Sequence, residues 1–348
     1  MDCRATPPGR VYNPPFCYSH ITYGIAGVGM WKTPSIAREG GWDIVGDLFD
    51  RYISELEPKP PPFNERYPLT IVSDYGGKHK QSLVETYSFL VFQPEVQWDK
   101  IAGFSQARDR INDARRLKYN KLKTDAITRR LIIEMLPIWK NLDATLITIA
   151  LDKTMLRRAA TKPMLPEMHP EFRKRYAEFD ERVRTHVMQV LSLVTFLARG
   201  FAPDDARVHW ISDEDDVIAS LRHRHIVSEL FANLLHNWGC SSVDSTVSSV
   251  ADNPKAWEDA ISIVDVAAGA HAEQVTRFIT DGNTWQDNTR LTHYVSGRCA
   301  ATVGALLDKP APLRYWPIWI RPRTEQGGTI ATRFVSVELG EPNQTAKT

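Results

Sequence analysis

The sequence predicts an α/β fold in which a mixed sheet is flanked by helices. From about residue 67, segments rich in β-branched and aromatic residues alternate with segments of helical periodicity. Only a few residues separate the first two strand-like segments, which is typical of an antiparallel hairpin. A hairpin within a strand–helix alternation implies a sheet with both parallel and antiparallel pairs.

The elements divide the chain into three parts. Residues 1–66 are interrupted by prolines and are interpreted as an irregular N-terminal extension. Residues 67–280 form the predicted domain, and residues 281–348 form a tail that contains short strands. The predicted strands are 69–74, 82–93, 144–152, 208–213, 316–320 and 332–339. The predicted helices are 106–139, 171–199, 215–238 and about 255–280, with Gly200 placed to end the second and a serine-rich linker at 241–249.

Composition excludes several classes of protein. The 348 residues include 43 Lys and Arg against 42 Asp and Glu, a net charge of +1, so binding to nucleic acid or membrane through bulk charge is excluded. The four cysteines form no CxxC pair, which favours a reducing compartment. No apolar run reaches the roughly 18 residues that span a bilayer, and the first residues lack the apolar core of a signal peptide. We expect a cytoplasmic protein with no membrane partner.

Three of the predicted strands end in aspartate, at Asp74, Asp152 and Asp213. In an open α/β sheet, ligands bind beyond the carboxyl ends of the strands, so these carboxylates are expected to face a common crevice. Several carboxylates together suit Mg²⁺, which also retains water and phosphate oxygens as ligands. The alternative is that each aspartate only starts a turn or caps the following helix.

A fourth aspartate, Asp265, lies on the apolar stripe of the last long helix, among residues that should pack against the sheet. An unpaired carboxylate there would be costly, so it needs a metal, a cation or good hydrogen-bond donors. A hydrogen-bonded core aspartate is the simpler alternative. The acidic run that starts at Asp213 suits a helix N-terminus. Glu214, within that run, is interpreted either as a further ligand or as part of the cap.

These stretches together resemble an RNase H-like fold, and more narrowly the prokaryotic "domain of unknown function 3800" family. That family typically opens with Asp-(Glu/x)-Ser/Gly-Gly and closes with Ala-Asp-Leu-Ile-Ala-Gly-Ala. The matching stretches here are SDYGG (73–77), RRLKYNKLK (115–123), ALDK (150–153), HWISDEDD (209–216) and IVDVAAGA (263–270). One departure is Tyr75, which stands where the family often has Glu.

The resemblance implies a nuclease that hydrolyses phosphodiester bonds with two Mg²⁺ or Mn²⁺ ions. Asp74 would bridge the ions and Asp265 would close the site from the last helix. Asp152 and Asp213 compete for the remaining roles, and Glu214 is a further candidate ligand.

Basic residues predict where nucleic acid would bind. Residues 108–130 contain nine Lys and Arg against three Asp, a net charge of +6 within a nearly neutral chain. The alternative is a solvated helix face. The candidate phosphate-binding residues are Lys78, Lys118, Lys121, Lys123 and Lys153.

A catalytically inactive protein is the competing interpretation. Such a protein would keep the RNase H-like fold for binding or for assembly, and its partner would contact the extension or the aromatic tail. Geometry separates the two interpretations, because a nuclease requires the carboxylates of Asp74, Asp213 and Asp265 to converge within about one metal-coordination sphere.

Overall fold

The structure is a computed structural model that describes most of residues 67–281 and parts of the chain from 290 to 336. Within the first range it leaves out 112–115, 123, 155–173, 203–205, 214–216, 238–244 and 250–253. The predicted N-terminal extension, except Phe63, and the ends of the predicted tail lie outside the described residues.

The described residues form an α/β fold with a mixed sheet between two helical layers. The strands are β1 (Leu69–Gly76), β2 (Val84–Phe92), β3 (Thr145–Asp152), β4 (Val208–Ser212), β5 (Ser245–Ser249), β6 (Arg290–Thr292), β7 (Arg314–Pro322) and β8 (Thr329–Ser336). The helices are α1 (Trp98–Ile111), α2 (Ala126–Lys140), α3 (Glu181–Phe201), α4 (Leu221–Asn237) and α5 (Pro254–Thr280). The predicted fold class is thus confirmed at the level of a mixed α/β sheet.

The strand order is β5-β4-β1-β2-β3-β7-β8-β6, in which the first six strands form the body and the last two extend one side. β2 is antiparallel to both of its neighbours, whereas β1 pairs in parallel with β4 and β3 in parallel with β7. The carboxyl ends of β1, β3 and β4 therefore lie at the same edge of the sheet. The hairpin between β1 and β2 turns at Gly77, whose φ of 76° lies in the left-handed region that favours glycine.

Each face of the sheet is covered by its own apolar layer. Alternate residues of β1 point to opposite faces: Ile71 packs with α3 and α4, whereas Val72 packs with α1, α2 and α5. Because both faces are buried, the central strands are apolar without clear alternation. Asp74, two residues beyond Val72, lies on the α5 face.

Several predicted elements differ from the observed ones, and three of the differences have a clear physical reason or affect the sheet. The predicted helix 106–139 is two helices, because Asp125 caps α2: its carboxylate accepts from Ile127 N at 2.9 Å and from Thr128 Oγ1 at 2.9 Å. The serine-rich segment predicted to be a linker contains β5, which pairs in parallel with β4. The helix predicted over 171–199 begins at Glu181, and Gly200 lies within its last turn.

The C-terminal strands belong to the same sheet as the rest. β7 lies beside β3, with Thr148 opposite Pro317, and β8 pairs with β7. The predicted tail therefore adds strands to the sheet of the predicted domain. Among the described residues, no helix is long and apolar enough to cross a membrane.

Candidate active site

Three of the four predicted aspartates converge at the carboxyl edge of the sheet. Ser73 of β1 is in register with Ser212, the last residue of β4, so Asp74 on β1 and Asp213, directly after β4, follow neighbouring partners in the two parallel strands. α5 crosses this edge on the face toward which Asp74 points, and it contributes Asp265. Arg116 contacts both Asp74 and Asp213, and the N–H of Tyr119, three residues further along, donates to Asp265. The three carboxylates therefore lie around one short segment, and they are called the acid cluster.

Small residues let α5 come close enough to place Asp265 there. Thr86 Oγ1 donates a hydrogen bond to the carbonyl of Ala268 at 3.0 Å, which fastens the helix to β2. A Cβ at Gly76 would lie 2.7 Å from Thr86 Oγ1 and 3.3 Å from the carbonyl carbon of Ala268. Glycine at the end of β1 therefore permits the close approach.

A cation from the chain itself lies within this acid cluster. Arg116 donates from Nη1 to Asp213 Oδ1 at 2.7 Å and from Nη2 to Asp74 Oδ2 at 3.4 Å. Its side chain is 13% exposed and that of Asp74 is 11% exposed, so the contact is largely removed from water. Sequence reasoning counted Arg116 among the basic residues and missed it as a site residue.

Residues 116–121, which include Arg116, form a segment that packs across α5. We call it the clamp segment. The backbone N–H of Tyr119 donates to Asp265 Oδ2 at 2.7 Å, and its hydroxyl donates to Glu273 Oε2 at 2.8 Å. A Cβ at Gly269 would lie within 3 Å of three atoms of the Tyr119 side chain. Gly269 is thus the position at which the clamp segment lies against the helix.

Burial and mutual repulsion govern the protonation of the cluster. Burial, followed by the charge of Asp265, raises the pKa of Asp74 well above its usual value, although Arg116 opposes the change. Burial also raises the pKa of Asp265, against the hydrogen bond from Tyr119 N and the charges of Arg116 and Lys118. The charged forms of these two carboxylates are therefore disfavoured without a stronger counter-charge.

Asp152 does not join this cluster. Asp74 is opposite Ser88 on β2, and Ser88 is opposite Thr148 on β3, so Asp152 lies four residues further along and two strands away. At about 3.3 Å per residue and about 4.8 Å per strand, this separation is roughly 16 Å between backbones. Its carboxylate instead accepts from the backbone N–H and the hydroxyl of Thr154 at 2.8 and 2.6 Å, which is the turn role considered for it.

Tyr75 points away from the acid cluster. Its hydroxyl is 2.8 Å from Ser73 Oγ and 3.2 Å from Ser212 Oγ, and its ring contacts His186 of α3 on the opposite face. Because neighbouring strand residues alternate between faces, an acid at position 75 would not reach Asp74's side of the sheet. The departure at this position removes no ligand from the cluster.

The predicted phosphate-binding lysines lie in two places. Lys118 and Lys121 are exposed on the clamp segment, and Lys118 is close enough to lower the pKa of Asp265. Lys78 is exposed in the β1–β2 turn, and Lys153 donates from Nζ to the carbonyl of His79 at 3.0 Å, which joins it to that turn. Lys123 and Glu214 lie outside the described residues.

The donor set suits a hard divalent cation. Asp74, Asp213 and Asp265 offer carboxylate oxygens, the ligands that Mg²⁺ and Mn²⁺ prefer, and their negative charge is balanced only in part by Arg116. In the described part of the chain, no group of three or more His, Cys, Asp or Glu side chains is already arranged to hold a metal ion. The three carboxylates are thus the right type of ligand for such an ion, and the guanidinium of Arg116 lies between two of them.

We predict that Gly269→Ala destabilises the protein by about 1–3 kcal/mol, because the added methyl group overlaps the Tyr119 ring. Gly103→Ala on α1 is the matched control, since its Cβ would meet only Ile138 at 3.5 Å or more. There the higher helix propensity of alanine should leave stability unchanged or raise it by up to about 1 kcal/mol. Urea denaturation measures both, and equal effects would contradict the packing of the clamp segment on α5.

Comparison of the chain with protein-family models, with curated proteins and with solved structures finds no match.

Proposed function

We propose that this protein is a nuclease of RNase H-like fold that hydrolyses phosphodiester bonds with Mg²⁺ or Mn²⁺. The observation that carries the proposal is the convergence of Asp74, Asp213 and Asp265 on residues 116–119 of the clamp segment, at the carboxyl edge of the sheet. Ligands of open α/β sheets bind at this edge. The similarity of the sequence motifs to the "domain of unknown function 3800" family supports the same proposal.

The three carboxylates would hold the metal ions, with Asp74 on β1, Asp213 directly after β4 and Asp265 on α5. When bound, the ions supply an activated water and stabilise the leaving oxygen of the phosphodiester. The pairing of β1 with β4 positions Asp74 and the end of the strand that precedes Asp213, and the contact between α5 and β2 positions Asp265. Such preorganisation is what a metal site requires of its protein.

Incubation with labelled oligonucleotides tests the proposal. Single- and double-stranded DNA and RNA are incubated with the purified protein at millimolar Mg²⁺ or Mn²⁺, and in EDTA. We expect cleavage of at least one of these substrates with metal and none in EDTA. Absence of cleavage from all four substrates with both metals would count against a nuclease.

A non-catalytic role is the second candidate, and the ion pairs of Arg116 favour it. A largely buried arginine that pairs with two aspartates is also a structural feature, and such pairs persist in proteins without any metal. In that case the fold would serve to bind a nucleic acid or a protein partner. Titration with Mn²⁺ discriminates, because a cation that binds only the native state raises the melting temperature.

Nucleic-acid binding by the clamp segment is a separate prediction. We expect the double variant Lys118→Gln/Lys121→Gln to bind DNA more weakly and to lower the slope of log K against log salt by up to about 2, because each lost phosphate contact contributes about 0.9. Both side chains are exposed, so the fold should be unaffected. The measurement is fluorescence anisotropy across a series of salt concentrations.

A matched control removes two charges from the other side of the sheet. Lys174 and Arg222 are exposed near α3 and α4, and Lys174→Gln/Arg222→Gln changes net charge by the same amount. If both double variants lower the slope equally, binding follows overall charge, and the clamp segment is not the contact surface.

A further inference from the structure

Arg116 occupies the place at which a cation would contact Asp74 and Asp213 together. Its two terminal nitrogens reach one oxygen of each carboxylate, at 3.4 Å for Asp74 and 2.7 Å for Asp213. Hard divalent cations also take carboxylate oxygens as ligands. The guanidinium and a metal ion shared by both aspartates would therefore compete for the same two carboxylates.

The hydrogen bonds that Arg116 makes to each carboxylate of the acid cluster are fewer than in an ideal arginine–carboxylate pair, and one of them is longer. A strong arginine–carboxylate pair forms two short parallel hydrogen bonds to one carboxylate. Arg116 instead makes one short bond, to Asp213, and one long bond, to Asp74. Its Nε is buried and has no hydrogen-bond partner among the described residues. Because a buried unpaired donor is unfavourable, this arrangement costs more than a fully paired one.

The third carboxylate is covered by the same segment. Three residues after Arg116, the N–H of Tyr119 binds Asp265 Oδ2. The clamp segment thus contacts all three carboxylates of the cluster through two groups. Arg116 lies outside regular secondary structure, so its side chain can leave without breaking a helix or a strand.

We infer that Arg116 is a built-in competitor for the divalent cation: metal binding at Asp74 and Asp213 displaces its guanidinium from the cluster. This inference rests on the proposed metal site and adds its regulation. The apparent metal affinity is then lower than the intrinsic affinity by the fraction of molecules in which Arg116 has moved out.

Chemical modification of the wild-type protein tests the displacement directly. Phenylglyoxal reacts with accessible guanidinium groups, and peptide mass spectrometry locates the modified arginines. We expect little reaction at Arg116 in EDTA and a rise of about tenfold or more with saturating Mn²⁺, as the open population replaces the closed one. KCl at matched ionic strength controls for salt screening of the ion pairs.

Arg108 is the internal control in the same samples. Its side chain is 11% exposed and paired with Asp259, away from the acid cluster, so its reactivity should stay low in every condition. If Mn²⁺ leaves Arg116 as protected as Arg108, Arg116 is not displaced and the inference is overturned. If both arginines react more, the metal loosens the fold, which also overturns it.

Metal affinity provides the second arm, with a readout independent of cleavage. Isothermal titration with Mn²⁺ compares the wild type with Arg116→Gln and with Arg110→Gln, an exposed arginine of α1 that serves as the control. We expect Arg116→Gln to bind on the order of tenfold more tightly and Arg110→Gln to match the wild type. Equal or weaker binding by Arg116→Gln overturns the competition while the metal site stands. If none of the three proteins binds Mn²⁺, the proposed metal site is wrong, and the proposed function is wrong with it.

Discussion

Replacing Asp74 with asparagine is expected to reduce metal-dependent cleavage by at least about 100-fold. Loss of a residue that only supports a metal ligand already costs 10- to 100-fold, and Asp74 would be a ligand itself. Asparagine keeps the shape of the side chain and can still accept the hydrogen bond from Tyr75 N, now 2.7 Å long. What it removes is the charge that the metal requires.

Two controls separate this loss from misfolding. In EDTA, the melting temperature of Asp74→Asn should hold or rise, because the substitution relieves repulsion within the cluster. Asp152→Asn, on a neighbouring part of the same sheet but outside the cluster, should keep its cleavage rate within about twofold of the wild type. Equal losses in the two variants would mean that the acid cluster is not where the reaction takes place.

Replacing Arg108 with methionine is expected to destabilise the protein by about 3–5 kcal/mol, because it leaves the buried carboxylate of Asp259 without its cation. Arg108 donates from Nε to Asp259 Oδ1 at 2.6 Å, with Nη2 contacting the same oxygen, and the two side chains are only 11% and 7% exposed. The pair joins α1 to the first turns of α5, the helix that carries Asp265. Urea denaturation measures the loss.

The double variant Arg108→Met/Asp259→Leu tests the cause. If the loss comes from the stranded charge, removing that charge should restore most of the stability. Arg110→Met is the surface control, since its pair with Glu134 is 3.4 Å long and 60% exposed on the arginine side, and it should cost less than about 1 kcal/mol. A double variant as unstable as Arg108→Met would show that packing, rather than charge, explains the effect.

The pH dependence of Arg108→Met follows from the same contact. Burial already raises the pKa of Asp259 in the wild type, and Arg108 counteracts the rise. Without Arg108, the pKa in the folded state rises further above that of the unfolded state. The folded state then binds the proton more tightly, so the stability deficit should shrink as the pH falls.

Sequence reasoning located the carboxylates because their environment is local. A strand that ends in aspartate can be read from a few residues, and the sheet rule then places Asp74 and Asp213 at one edge. Asp265 was identified because a charged residue interrupts an apolar helical stripe. Asp152 satisfied the same strand rule but lies elsewhere, because β3 extends further than β1 and is separated from it by β2.

Arg116 could not be singled out in this way. Nine basic residues lie between 108 and 130, and no local feature distinguishes the one that reaches the acids. The prediction of one continuous helix also placed the clamp segment inside that helix, although an aspartate such as Asp125 is typical of a helix N-terminus. β5 was missed for a similar reason, because it is short and serine-rich. Its pairing with β4, rather than the strand propensity of its residues, makes it a strand.

The strand order also has a consequence for the time at which the chain reaches its native state. β1, which carries Asp74, and β4, which precedes Asp213, are far apart in sequence. β3 pairs with β7, which lies near the end of the chain. Long-range pairings of this kind slow folding, because a large loop must close before any contact compensates for its entropy. Among the described strands, the β1–β2–β3 meander is synthesised before β4 and β7, and it has two open edges until they arrive. We therefore expect the acid cluster to assemble late, after α5 has been translated, and the nascent meander to be the stage at which this protein is most prone to aggregate.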